Sequence, residues 1–131
     1  MKIDHLGYVT KDIEKSLADF LKLGFSIVSE LVTDESRKIE IVFIRNESVV
    51  IELVSPLNAE SDIYELAKRS NNTIYHICYT TSDLEGKIEE LRKDKYFLVV
   101  PPAEAIAFDN RRVAFMMSST VGLIELVEEV S

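Results

Sequence analysis

Two rhythms of apolar residues alternate along this chain. Residues 2–9, KIDHLGYV, place apolar and polar positions in turn, with β-branched and aromatic side chains among them, which is the period of a strand. From Asp12 the period lengthens. Ile13, Leu17, Phe20 and Leu21 recur at helical spacing, Asp12 stands as a helix N-terminal residue, and Gly24 supplies the stop. Strand-like runs follow at 25–32, 38–45 and 48–54, the last two joined by the hairpin signal RNES. The predicted order is βαβββ.

That order occurs twice. HLGYVTKDIEKSLADFLKLGFSIV from His5 lies over HICYTTSDLEGKIEELRKDKYFLV from His76: His5 matches His76, Tyr8 matches Tyr79, Asp12 matches Asp83 and Ile13 matches Leu84, all at an offset of 71. VFIRNESVVIELV then lies over AFMMSSTVGLIELV. Phe43 meets Phe115 at an offset of 72, and Glu52 meets Glu125 at 73, inside an identical IELV. The second copy predicts a strand at 73–80, a helix from Asp83 carrying Leu84, Ile88 and Leu91, and strands at 96–100, 111–117 and 121–128. SSTVG is its hairpin turn, Pro101-Pro102 starts a rigid loop, and Lys95 holds the place of Gly24. Between the copies, in SPLNAESDIYELAKRSNN, Pro56 stops a strand, Ser61 or Asp62 caps a short helix through Arg69, and Asn71-Asn72 turns. The predicted organisation is one α+β domain over 1–131: a first βαβββ module at 1–56, a linker with a short helix at 57–72, and a second module at 73–131.

Composition trims the functional classes. At 131 residues and 47% hydrophobic, the chain fits one compact globular domain or two fused half-modules, with a real core. A net charge of −8 argues against nucleic acid and anionic membrane surfaces as partners. The start MKIDHLGYVT lacks the apolar core of a signal peptide, and no apolar run reaches bilayer length. A single cysteine, Cys78, excludes an internal disulfide and fits a cytoplasmic setting. Cys78 itself reads as a small core hydrophobe.

Candidate chemistry follows from the repeat. The chain has two histidines, His5 and His76, each on the first strand of a copy. Glu52 and Glu125 sit at matched places on the last strands, between apolar neighbours, where a carboxylate is costly to bury without a partner. If Leu6, Tyr8, Ile77 and Tyr79 face the helices, both histidines face the other side of their sheets, and by the same alternation both glutamates turn away from Ile51, Leu53, Ile124 and Leu126. Two sheets curling toward each other then form a shared cleft with two nitrogen and two oxygen donors, a set suited to a divalent first-row metal with open positions. Arg111 and Arg112 start a strand near that cleft. One of them holds an anionic substrate group, or both form a solvated strand end. Phe108 lines the pocket or packs.

With these residues in place, the chain resembles the vicinal-oxygen-chelate superfamily, which includes glyoxalase I, methylmalonyl-CoA epimerase, extradiol dioxygenases and fosfomycin-resistance proteins. IELVSPLNAESDIYELAKRSNNTIYHICY and VAFMMSSTVGLIELVEE resemble the epimerase-like branch in particular, with glyoxalase I second. The sequence departs from the epimerase pattern in PPAEAIAFDNRRVAF, which has no glycine or histidine, and in MMSS, where that branch carries HPK. The resemblance implies His5, Glu52, His76 and Glu125 as ligands of one divalent ion per cleft, Zn, Ni, Co or Mn. It implies proton removal next to a carbonyl, with Glu125 as one base and Glu52 as a candidate for proton transfer. For the second base of an epimerase, Asp34, Glu35 and Glu40 are the candidates. The expected function is a metal-dependent isomerase or epimerase acting on an acyl thioester or related small molecule. A glyoxalase I-type lactoylglutathione lyase and a non-catalytic binding module are the alternatives. The superfamily also implies a homodimer.

Overall fold

The computed structural model describes residues 1–129, which divide into two compact units: His5–Tyr75, and the residues from His76 onward together with Met1–Asp4. The division falls at equivalent points of the repeat, just before each histidine.

The first copy contributes β1 (Lys2–Val9), α1 (Ile13–Lys22), β2 (Ser26–Ile27), β3 (Val32–Asp34), β4 (Ile39–Asn46) and β5 (Val49–Pro56), followed by α2 (Tyr64–Arg69). The strand order is β2-β4-β5-β1, with β3 also on β4. β1 runs parallel to β5, placing Gly7 opposite Glu52, while β4 and β5 form an antiparallel hairpin with Phe43 opposite Glu52. The single strand expected at 25–32 is divided. β2 pairs with Ile44 and Arg45, β3 pairs with Ile39, Glu40 and Ile41, and between them the Ser29 hydroxyl accepts from the Phe43 amide at 2.9 Å. A side-chain oxygen there does the work of a ladder carbonyl, so the pairing breaks without orphaning the amide.

The second copy repeats the plan: β6 (Thr73–Thr81), α3 (Leu84–Lys93), β7 (Phe97–Glu104), a 3-10 turn (Ile106–Phe108), β8 (Arg112–Ser118) and β9 (Gly122–Glu128), in the order β6-β9-β8-β7. β6 runs parallel to β9 with Cys78 opposite Glu125, the repeat equivalent of Gly7 opposite Glu52.

The expected helix starts are present. Asp12 accepts from the Lys15 amide and Asp83 from the Gly86 amide, each satisfying a first-turn donor. A Cβ added at Gly86 would run into the Asp83 carboxylate where it now sits, whereas in the first copy Asp12 caps over Lys15. After α1 the chain leaves through Gly24 at φ +97°, and after α3 Lys95 takes the same left-handed turn at φ 71°. Two expectations are corrected. Neither Ser61 nor Asp62 caps α2. The cap position is Ile63, with no side-chain bond, and Ser61 instead closes the turn before it by accepting from the Ile63 and Tyr64 amides. Pro101-Pro102 lies inside β7 rather than in a loop, at a register shift between Val100 and Ala103. The missing proline N–H donors are tolerated there because β7 is an edge strand with irregular pairing.

In the first unit Ile13, Val42, Ile44, Ile51 and Leu53 form a buried cluster, flanked by Leu6, Tyr8, Leu17 and Phe20. In the second the same role falls to Leu84, Ile88, Ala114, Met116, Ile124 and Leu126, with Tyr79 and Leu91 beside them. These clusters define the helix-bearing face of each sheet. The alternate residues, His5, Phe43 and Glu52 in one copy and His76, Phe115 and Glu125 in the other, belong to the opposite face.

Candidate functional site

Each unit carries one buried histidine–glutamate pair. In the first, His5 Nε2 lies 3.4 Å from Glu52 Oε1, and in the second His76 Nε2 lies 3.1 Å from Glu125 Oε1. All four residues are at most 3% exposed. Parallel pairing explains how residues so far apart in the chain meet. The first and last strands of a copy are neighbours, and the glutamate stands beside the residue two places beyond the histidine, on the histidine's own face. That intervening residue is Gly7 in one copy and Cys78 in the other, so little or no side chain competes with the carboxylate for space.

A ring edge completes each pair. Phe43 meets His5 with centroids 5.4 Å apart and planes at 82°, and Phe115 meets His76 at 5.4 Å and 89°. These T-shaped contacts fix the imidazole planes. The match between Phe43 and Phe115 is visible in the repeat, but a phenylalanine in a strand carries no chemical signal of its own, and its role emerges only with the packing.

The donor geometry suits a metal. Ligands on bonds of about 2.1 Å sit roughly 3.0 to 3.4 Å apart around an octahedral or tetrahedral ion. The two nitrogen-to-oxygen separations match that spacing, and imidazole with carboxylate is a donor set that divalent first-row ions accept.

The three acids considered as a second base separate by position. Asp34 stands opposite Ile39 in the β3–β4 ladder, which places it on the same face as Phe43 and Glu52. It is 1% exposed, and its Oδ1 accepts from Ser36 Oγ at 2.8 Å and from the Arg37 amide at 3.2 Å. Glu35 is exposed in the turn between β3 and β4. Glu40 pairs with Ser55, in step with Val42 and Leu53 on the helix-bearing face.

The two arginines also separate. Arg112 is on the helix-bearing face, in step with Ala114 and Met116, where its guanidinium meets Glu85 of α3 and holds Glu128 Oε1 at 2.6 Å. Arg112 keeps Glu85 and Glu128 below the ordinary carboxylate range by hydrogen bonding to them. The Arg112 guanidinium is thus engaged by two carboxylates on the helix-bearing face of its sheet. Arg111 binds the carbonyls of Phe108 and Glu128 and lies 5.7 Å over the ring of the buried Phe108. Together they pin the segment after β7 onto the sheet.

A surface groove of about 520 Å³, lined by Tyr8, Thr10, Phe20 and Asn72 among others, lies on the helix-bearing side of the first unit. It shares no residue with the His5–Glu52 pair.

Sheets of this order, carrying such a pair on the first and last strand of each βαβββ repeat, define an α+β class built from a duplicated module. The profile of the glyoxalase/bleomycin resistance protein/dioxygenase superfamily matches residues 4–115, and the chain belongs to that family. It is 24% identical over 131 residues to the mitochondrial methylmalonyl-CoA epimerase of Dictyostelium discoideum, covering 98% of this chain and 78% of that one. Among solved structures, the methylmalonyl-CoA epimerase of Mycobacterium tuberculosis superimposes with a TM-score of 0.84 at 24% identity, covering 99% of this chain and 89% of the other. The hypothetical protein BH1468 of Bacillus halodurans C-125 reaches 0.87 at 24% identity, covering 99% and 95%. At such identities the structural likeness speaks for the fold.

Proposed function

We propose that this protein is a metal-dependent epimerase or isomerase that removes a proton next to the carbonyl of a small acyl thioester, as the names of its epimerase relatives suggest. The observation that carries the reading is the buried histidine–glutamate pair, present twice at matched positions of the repeat. In this reading His5, Glu52, His76 and Glu125 hold one divalent ion, Zn, Ni, Co or Mn, between them. Such an ion supplies positive charge where negative charge builds on the carbonyl oxygen.

The chain's own residues do the rest. Glu125 takes the proton from the carbon next to the carbonyl, with Glu52 as the partner carboxylate for proton transfer. Epimerisation needs a second acid to return a proton from the opposite side. Asp34 is the choice, because it alone of the three candidates is buried on the face that carries Glu52. Phe43 and Phe115 hold the imidazole planes, while Phe108 and Arg111 form a fixed wall for the acyl group. Among the described residues no helix is long and apolar enough to cross a membrane. Cys78, buried and in no disulfide, fits a reducing, cytoplasmic setting.

Two measurements test the proposal. Purified protein should bind close to one equivalent of Zn, Ni, Co or Mn, and His5→Ala should lose that binding. Metal-loaded wild type should exchange the 2-proton of a 2-methyl acyl thioester with deuterium in NMR, and Glu125→Gln should slow exchange by about 100-fold or more. Exchange confined to hemithioacetals would select the glyoxalase chemistry instead. A metal-loaded protein inert toward both would leave a binding module.

A further inference from the structure

We propose that Arg45, with Ser26 beside it, anchors an anionic group of the substrate and so sets specificity. The inference rests on the epimerase reading for the word substrate, but its geometry stands within the first unit alone.

The argument is one of register. The β4–β5 ladder is unbroken from Ile39 to Asn46, with Phe43 opposite Glu52 and Arg45 opposite Val50. Arg45 is therefore in step with Phe43, on the face of the His5–Glu52 pair, and about 7 Å further along the strand. β2 sets Ser26 directly opposite Arg45, so its hydroxyl shares that face. Among the strand residues of 5–75, Arg45 is the single lysine or arginine. It is exposed, and no carboxylate of the described residues pairs with it.

The contrast with Arg112 is chemical. Arg112 is on the helix-bearing face and is neutralised by Glu85 and Glu128. In a chain of net charge −8, an arginine left without an acid beside a buried carboxylate is conspicuous. A guanidinium with five donors and an adjacent hydroxyl fits a carboxylate or a phosphate oxygen cluster. Asp34 holds the other end of the same face, so the first unit presents a cation, a metal-ligand pair and a buried acid in sequence across one surface.

The anion has two possible sources, a carboxylate on the acyl part or a phosphate on the thioester carrier. The test compares wild type, Arg45→Gln and Arg45→Lys on three substrates: methylmalonyl-CoA, methylmalonyl-N-acetylcysteamine, which has no phosphate, and propionyl-CoA, which has no free carboxylate. Arg45→Gln should raise KM about 10-fold or more with kcat changed less than about 3-fold, and Arg45→Lys should restore part of it. A penalty kept with the cysteamine thioester and lost with propionyl-CoA assigns the carboxylate, and the reverse assigns the phosphate. In parallel, methylmalonate and inorganic phosphate are titrated into metal-free protein by amide NMR, where wild type should bind one of them at least about 10-fold more tightly than Arg45→Gln. Equal KM values on all three substrates together with equal anion affinities would overturn the assignment. If wild type exchanges no substrate, the epimerase reading falls and the anion titration alone decides Arg45. Wild type that binds neither anion then sinks it.

Discussion

Glu52 and Glu125 keep their carboxylates beside a histidine because the neighbouring strand offers Gly7 and Cys78 at the point of closest approach. A branched side chain at position 7 would claim that space. Gly7→Val should therefore weaken metal binding about 10-fold or more while leaving the far-UV circular dichroism unchanged, with metal stoichiometry by mass spectrometry as the readout. Unchanged stoichiometry would show that the carboxylate has room to spare. The four ligand candidates were legible in the sequence because histidine is scarce and IELV recurs. Gly7 and Phe43 were not legible as parts of the site. Their contribution is shape, and shape depends on strand register that no residue type announces. Arg45 was hidden for a related reason, since an arginine in RNES reads as an ordinary turn flank until the ladder shows which face it occupies.

At the scale of elements, Arg112 ties three of them together. Its backbone amide donates to Glu128 Oε2 at 2.9 Å, its guanidinium reaches Glu128 Oε1, and Glu85 joins from the first turn of α3. Both glutamates have lowered folded-state pKa values. Their contribution to stability is thus fully present above the ordinary glutamate value of about 4.3 and disappears as pH falls through the lowered folded values. Arg112→Gln should lower Tm at neutral pH by about 2 to 4 °C, a modest effect because the network is solvent-accessible. The difference from wild type should shrink toward zero in strong acid. A gap that stays constant with pH would assign the loss to packing of the arginine stem. Helix positions were predicted well, because the capping aspartates and the periodic apolar residues agree. The run at 25–32 and the Pro101-Pro102 segment were not. In both, edge pairing is irregular, and local preference gives way to what the neighbouring strand can accept.

For the molecule as a whole, the sequence exposed its architecture through repetition. One βαβββ copy alone is a weak pattern, and two copies in phase are a strong one. A homodimer of this 14.9 kDa chain predicts a mass of about 30 kDa by sedimentation or light scattering, as expected for closed symmetric pairs of small subunits. A monomer mass at every concentration would remove that expectation. The parallel pairing of first and last strands has a consequence for ancestry. A stretch of genetic message can be copied without loss of such a pair only if both residues lie within the copied stretch. Here each stretch encodes a strand carrying the histidine and, at its far end, the strand that returns alongside with the glutamate. Each copy could therefore diverge in its helix, its turns and its edge strand while inheriting its buried histidine–glutamate pair.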